Sequence, residues 1–228
     1  MNTNHYKAED AALEKAGEDS DVENLDDEEF TPAPLPQLTN EPQGHPDSCL
    51  SLSLPLIRAL HTQLPPAPDL VLSIGSGTGL VEALLDSLAA DDQDRDPPTR
   101  KTPRHTAAAL NLASVEIAPS PNRYHAAHRH HTVPGTWALD PAAGRAKAWV
   151  FVYPKQVALV QSYMASSFAS GEKGAVEVVL YVGPRMDWDD FRGAFAPFAE
   201  DIEVWGEERM EEVGGRAWEC VAVVRLRR

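Results

Sequence analysis

The chain has 228 residues, 43% of them apolar, enough to bury the core of one sizeable α/β domain and too many for a wholly disordered polymer. No run approaches the roughly 20 apolar residues of a membrane-spanning helix. The start MNTNHYKAED has no basic-plus-apolar leader pattern, and two cysteines, Cys49 and Cys220, are too few for a disulfide framework. Those features lead us to expect a soluble intracellular protein, cytoplasmic or nuclear.

The net charge of −15 is unevenly spread. Residues 1–47 hold 13 acidic and 2 basic side chains, a balance of −11, and the remaining residues carry only −4. Most of the acidity therefore belongs to a tail. Nothing favours duplex DNA as a partner, which would select a basic face. The tail contains the run Asp26-Asp27-Glu28-Glu29 and the Pro-rich stretch TPAPLPQLTNEPQGHP, with few apolar residues to offset the entropy of ordering. Residues 1–47 read as disordered, either a solvating tail or an acidic segment that docks a protein partner; residues 48–228 read as the folded domain.

From Leu50 the pattern changes. Pro55 suits a helix start, and Leu56, Ile57, Leu60 and Leu64 fall on one helical face until PPAP at 65–68 ends it. The run 69–74, DLVLSI, suits a strand covered on both faces. Gly75, Gly77 and Gly79 follow at once, and Leu80, Val81, Leu84, Leu85 and Leu88 mark the buried stripe of a second helix. Residues 91–107 are polar and proline-rich, the signature of a surface insertion.

A second strand is expected over 110–117, a short helix over 122–128 and a brief third strand over 131–133. AWVFVY at 148–153 is a strongly apolar fourth strand, followed by a helix over 155–168, and 175–182 is a fifth. Asp187 is placed to cap a helix carrying Phe191, Phe195 and Phe198. Finally, extended segments on either side of Gly214-Gly215 predict an antiparallel hairpin with that pair as its turn. The sum is an α/β three-layer sandwich: a mostly parallel seven-stranded sheet ending in an antiparallel β-hairpin.

VLSIGSGTGL is the most informative segment. Glycines let a backbone turn tightly against a ligand, and the helix behind offers unpaired N–H donors. Spacing narrows the ligand. A dinucleotide fingerprint needs glycine where Leu80 stands, which disfavours a nicotinamide-dependent oxidoreductase, and a P-loop needs a Lys-Ser or Lys-Thr pair that is absent.

The G-x-G-x-G turn, the acidic residue ending the second strand and the terminal hairpin together resemble the class I, seven-stranded S-adenosylmethionine-dependent methyltransferases, over about residues 50–228. The resemblance implies a cofactor, S-adenosylmethionine, lying over Ser73, Gly75, Ser76, Gly77 and Gly79, with Glu116 on the ribose hydroxyls and Gly135-Thr136-Trp137 by the adenine, Trp137 either stacking on the base or packing in the core. It puts Tyr153 and Lys155, in the Tyr-Pro-Lys after the fourth strand, beside the methyl group as candidate catalytic residues. The chain departs from the family at Ser73, where an acidic residue is usual, and in lacking a D/N-P-P-Y tetrapeptide after the fourth strand. The acceptor, small molecule or protein, is not indicated. A non-catalytic relative acting as a partner-binding module is the alternative.

Two other clusters have simpler readings. His125, His128, His130 and His131 have a spacing that could bind zinc, yet no cysteine is near and a polar connector explains them better. Asp187, Asp189 and Asp190 look like three carboxylates for Mg²⁺, yet Asp187 as a helix cap and the other two as first-turn charges explain them better. No metal is expected.

Overall fold

The computed structural model describes residues 30–91, 107–168 and 174–227. The expected insertion lies almost wholly outside them, as do the first 29 residues of the expected tail.

The N-terminal boundary differs from expectation. Gln43–His45 (β1) pairs antiparallel with Ser48–Leu52 (β2), and the turn between them is pinned through Asp47. Arg123 Nη1 donates to Asp47 Oδ1 at 3.0 Å, the Tyr124 hydroxyl donates to Oδ2 at 2.7 Å, and the Thr78 hydroxyl donates to the Asp47 carbonyl at 2.7 Å. The Tyr124 hydroxyl and Arg123 hold the Asp47 carboxyl below its ordinary pKa, against a smaller opposing effect of burial. Composition alone assigned residues 43–47 to the tail because these partners are distant in sequence.

Helix α1 (Leu54–His61) starts where Ser53 accepts the Leu56 N–H at 3.2 Å, with Pro55 in its first turn. Strand β3 (Leu70–Ile74) leads through the glycine turn into α2 (Leu80–Asp91). Asn111–Ile117 (β4) and His130–Val133 (β5) follow, then Ala148–Val152 (β6), α3 (Val157–Phe168) and β7 (Val178–Pro184). Trp188–Phe195 is α4, and Ala199–Trp205 (β8), Glu207–Glu212 (α5) and Glu219–Leu226 (β9) complete the chain.

One seven-stranded sheet has the order β5-β4-β3-β6-β7-β9-β8, parallel from β5 to β7, with β9 antiparallel to both of its neighbours. Helices α1, α2 and α5 pack on one face through Leu56, Leu60, Leu84 and Met210; α3 and α4 cover the other through Tyr163, Met164, Phe191 and Phe195. Strand β3 buries Val71, Leu72, Ser73 and Ile74 in succession, as a strand roofed on both sides must. The chain leaves β3 toward β4 on one side and returns to β6 on the other. That reversal opens a crevice at the carboxyl end of β3.

Three local expectations are corrected. The helix over 122–128 reduces to a single 3-10 turn at Ala127–Arg129, because the segment before it is tied to the glycine turn by the Arg123 N–H bond to the Thr78 carbonyl. Asp187 occupies the position before α4 but makes no side-chain capping bond. Gly214-Gly215 is not the hairpin turn. Gly214, at φ +75°, ends α5, and the Gly215 N–H donates to the Met210 carbonyl at 2.7 Å; strands β8 and β9 pair as expected, but across this short helix.

Candidate functional site

The crevice is a cavity of about 500 Å³, within the size range of small-molecule sites. Its walls are the glycine turn, the ends of β4 and β6, the start of α2, the segment 153–156 and residues 46–49 of the β1–β2 hairpin.

Gly75, Gly77 and Gly79 all have left-handed backbones, with φ of +74°, +57° and +77°. They serve two purposes. A Cβ at Gly75 or Gly77 would meet nothing, so these two face open cavity. A Cβ at Gly79 would collide with Asn122 and His125, and Gly79 does not line the cavity; its smallness lets the 122–125 segment close behind the turn. The turn is held by N–H bonds from Gly75 and Ser76 to the Val115 carbonyl, at 2.9 and 3.2 Å.

Glu116, near the end of β4, borders the cavity. Its Oε2 accepts the Gly77 N–H at 2.8 Å and its Oε1 accepts the Ile117 N–H at 2.8 Å, so the carboxylate is bonded to the turn and borders the cavity beside it. Beside it a shallow extension is lined by Ile117, Val133, Thr136 and Leu159. Trp137 does not take part: it is 77% exposed and its ring lies over Gly135, while its neighbour Thr136 lines both hollows.

Ser73 is also displaced from its expected role. It is buried beneath the turn, outside the cavity lining, and its hydroxyl donates to Glu82 Oε1 at 2.5 Å. Glu82, in the first turn of α2, does line the cavity. Burial pushes its pKa up, partly opposed by the Ser73 hydroxyl. Glu82 was passed over in the sequence because it sits within an apolar helical stripe; a lone carboxylate inside such a stripe was the available signal.

Tyr153 and Lys155 both border the cavity. Tyr153 has φ +50°, an unfavourable backbone for a bulky residue. Its hydroxyl donates to Glu219 Oε1 at 2.8 Å, an oxygen that also accepts the Ser51 N–H at 2.9 Å. Burial, and then the Glu219 bond, raise the Tyr153 pKa far above its usual value, so the phenol stays protonated at neutral pH. It is a bracing residue in this arrangement and no ready base. Glu219, fully buried at the start of β9, had no precedent in the sequence reading.

The histidines part company. The Ser114 hydroxyl bridges His125 Nδ1 and His130 Nδ1, 2.8 Å from each; His130 Nε2 reaches Ser120 at 2.7 Å and His131 Nδ1 reaches Asp140 at 2.9 Å. Burial lowers the His130 pKa. Among the described residues no group of side chains is arranged to hold a metal ion, and no helix is long and apolar enough to cross a membrane.

No protein-family model and no curated protein matches the chain. Among solved structures it is similar to the tRNA (m1A58) methyltransferase TrmI from Aquifex aeolicus, with a TM-score of 0.51 and 11% identity over 81% of this chain and 74% of that one. It is also similar to Thermoplasma acidophilum 1320, with TM-score 0.47 and 10% identity over 83% and 92% of the two chains. The 23S rRNA methyltransferase ErmE gives TM-score 0.44 and 15% identity over 77% and 69%. At such identities the likeness speaks for the fold alone, and it rests on the first of these. The chain has the class I, Rossmann-like methyltransferase fold, a seven-stranded α/β sandwich.

Proposed function

We propose that this chain is an S-adenosylmethionine-dependent methyltransferase with its cofactor in the cavity at the end of β3. The observation that carries the reading is the left-handed glycine turn joined to the Glu116 carboxylate on the wall of a cavity of about 500 Å³. The donor set fits. Glu116 keeps lone pairs free for two ribose hydroxyls beyond the two N–H bonds it already accepts. The apolar extension by Ile117, Val133 and Leu159 suits a flat base. Ser76 Oγ, buried on the wall without a partner, and the first turn of α2 can receive the polar tail of the cofactor.

When bound, the sulfonium supplies a methyl group already activated toward nucleophiles. The protein must then orient an N, O or S atom on line with it, which by itself lowers the barrier substantially. Tyr153, Pro154 and residues 46–49 wall the rest of the cavity. Lys155 borders the same end and is exposed to solvent. The acceptor is a small molecule or a protein, and the acidic residues 1–29 are available to recruit a protein partner.

Isothermal titration with S-adenosylmethionine and S-adenosylhomocysteine tests the binding. Micromolar binding of both is expected, weakened at least about tenfold by Gly77→Asp, which adds a carboxylate beside Glu116 and fills ligand space. Absence of heat with either compound would refute the proposal. The Tyr153 hydroxyl engaged by Glu219 favours one second reading, a cofactor-binding module that does not transfer methyl groups. Binding without transfer of radiolabelled methyl to any extract fraction would select it.

A further inference from the structure

Ser76 Oγ and Glu82 Oε2 are buried atoms of cavity-lining residues that have no hydrogen-bond partner. Glu82 is the more telling of the two. It is 1% exposed, its Oε1 is satisfied by the Ser73 hydroxyl, and its Oε2 is bare. The groups facing it are Ser73 from β3, Glu116 from β4 and His125 from the β4–β5 connection. No lysine or arginine pairs with it among the described residues. A bare carboxyl oxygen at that depth is unfavourable unless something entering the cavity takes it.

We infer that Glu82 recognises a cationic amino group on the bound ligand, supplying from helix α2 the carboxylate that strand β3 lacks at Ser73. The inference rests on the cavity being an S-adenosylmethionine site, whose amino-acid tail carries such an ammonium. The chain then distinguishes adenosyl compounds with the amino-acid tail from bare nucleosides by a carboxyl group that is buried before the ligand arrives and ionises when the ammonium binds.

A consequence follows for pH. Burial, reinforced by Glu116, favours the neutral carboxyl, while Ser73 and His125 act the other way. An ammonium needs the ionised form. Below the raised pKa, filling the cavity must therefore expel a proton, and affinity climbs with pH until Glu82 is ionised without ligand.

The experiment compares S-adenosylhomocysteine with 5′-methylthioadenosine, which keeps the nucleoside and lacks the amino acid. Titrations run from pH 5.5 to 8 in buffers of different ionisation enthalpy. For the unsubstituted protein, S-adenosylhomocysteine binding should tighten with pH, by at most about tenfold per unit, and its heat should vary with buffer. Glu82→Gln should weaken it about 10–100-fold and abolish the buffer dependence, while 5′-methylthioadenosine stays within about threefold. Retained nucleoside binding also shows that the variant is folded; if it is not, the proton count of the unsubstituted protein decides. Equal losses for both ligands, no loss for either, or no proton release would overturn the inference while leaving the cofactor site standing. Failure of both ligands to bind the unsubstituted protein would remove the site and the inference together.

Discussion

Gly77 and Gly79 differ by two positions and should fail in different ways when replaced by alanine. Both need left-handed backbones, which disfavour an L side chain by about 1–2 kcal/mol, offset by about 0.4–1 kcal/mol from a stiffer unfolded chain. Gly77→Ala meets no atom, so its net loss of stability should be about 1 kcal/mol. In Gly79→Ala the new methyl would lie 2.8 Å from His125 Cβ and 2.9 Å from the His125 backbone N, and would overlap the Asn122 side chain. Overpacking of that kind adds about 1–3 kcal/mol, for a total near 2–4 kcal/mol. Urea unfolding followed by tryptophan fluorescence measures both. With a slope of about 2 kcal/mol per molar, the midpoints should fall by about 0.5 M and about 1–2 M. Ligand binding should reverse the order: Gly77 lines the cavity and Gly79 does not, so Gly77→Ala should lose more affinity than Gly79→Ala. Equal stability losses, or a greater loss at Gly77, would refute the division of labour assigned to the two glycines.

Two further outcomes follow from buried carboxyls. Tyr153→Phe leaves Glu219 Oε1 with only the Ser51 N–H, and should lower stability by about 1–3 kcal/mol; a change below about 0.5 kcal/mol would show that this bond does not brace the end of β6. Glu82 has a folded pKa above its unfolded one, so the folded state holds the extra proton, and stability contributed in acid is lost as pH rises from the ordinary glutamate range through the raised value. Glu82→Gln should flatten that decline, as read from urea midpoints between pH 4 and 8. An unchanged slope would exclude Glu82 as its source.

Much of the architecture was readable from periodicity. Residues 70–74 and 148–152 show as strands because both of their faces are apolar, and the stripe from Leu80 to Leu88 shows as a helix because its spacing can serve nothing else. The glycine turn and Glu116 were readable for a related reason: the turn demands residues without Cβ, and a carboxylate ending an apolar strand is conspicuous. Trp137 misled, since an indole after the third strand satisfies a stacking argument whether or not its ring turns inward, and here it lies on Gly135 with most of its surface in water. The Gly214-Gly215 pair misled likewise. A left-handed glycine ends a helix as readily as it turns a hairpin.

The amino-acid sequence alone thus determined the order of the seven sheet strands and of helices α1 to α4, the position of the turn and one of its carboxylates, because those depend on short-range pattern and backbone sterics. Only the tertiary structure decided that Asp47 pins the β1–β2 turn at the cavity wall, that Glu82 meets Ser73, and that Tyr153 is tied to Glu219. Each of these is a meeting of polar groups on separate elements. Where two such groups meet is set by sheet register and helix docking, which come from the packing of the apolar core elsewhere and leave no local mark on the residues concerned.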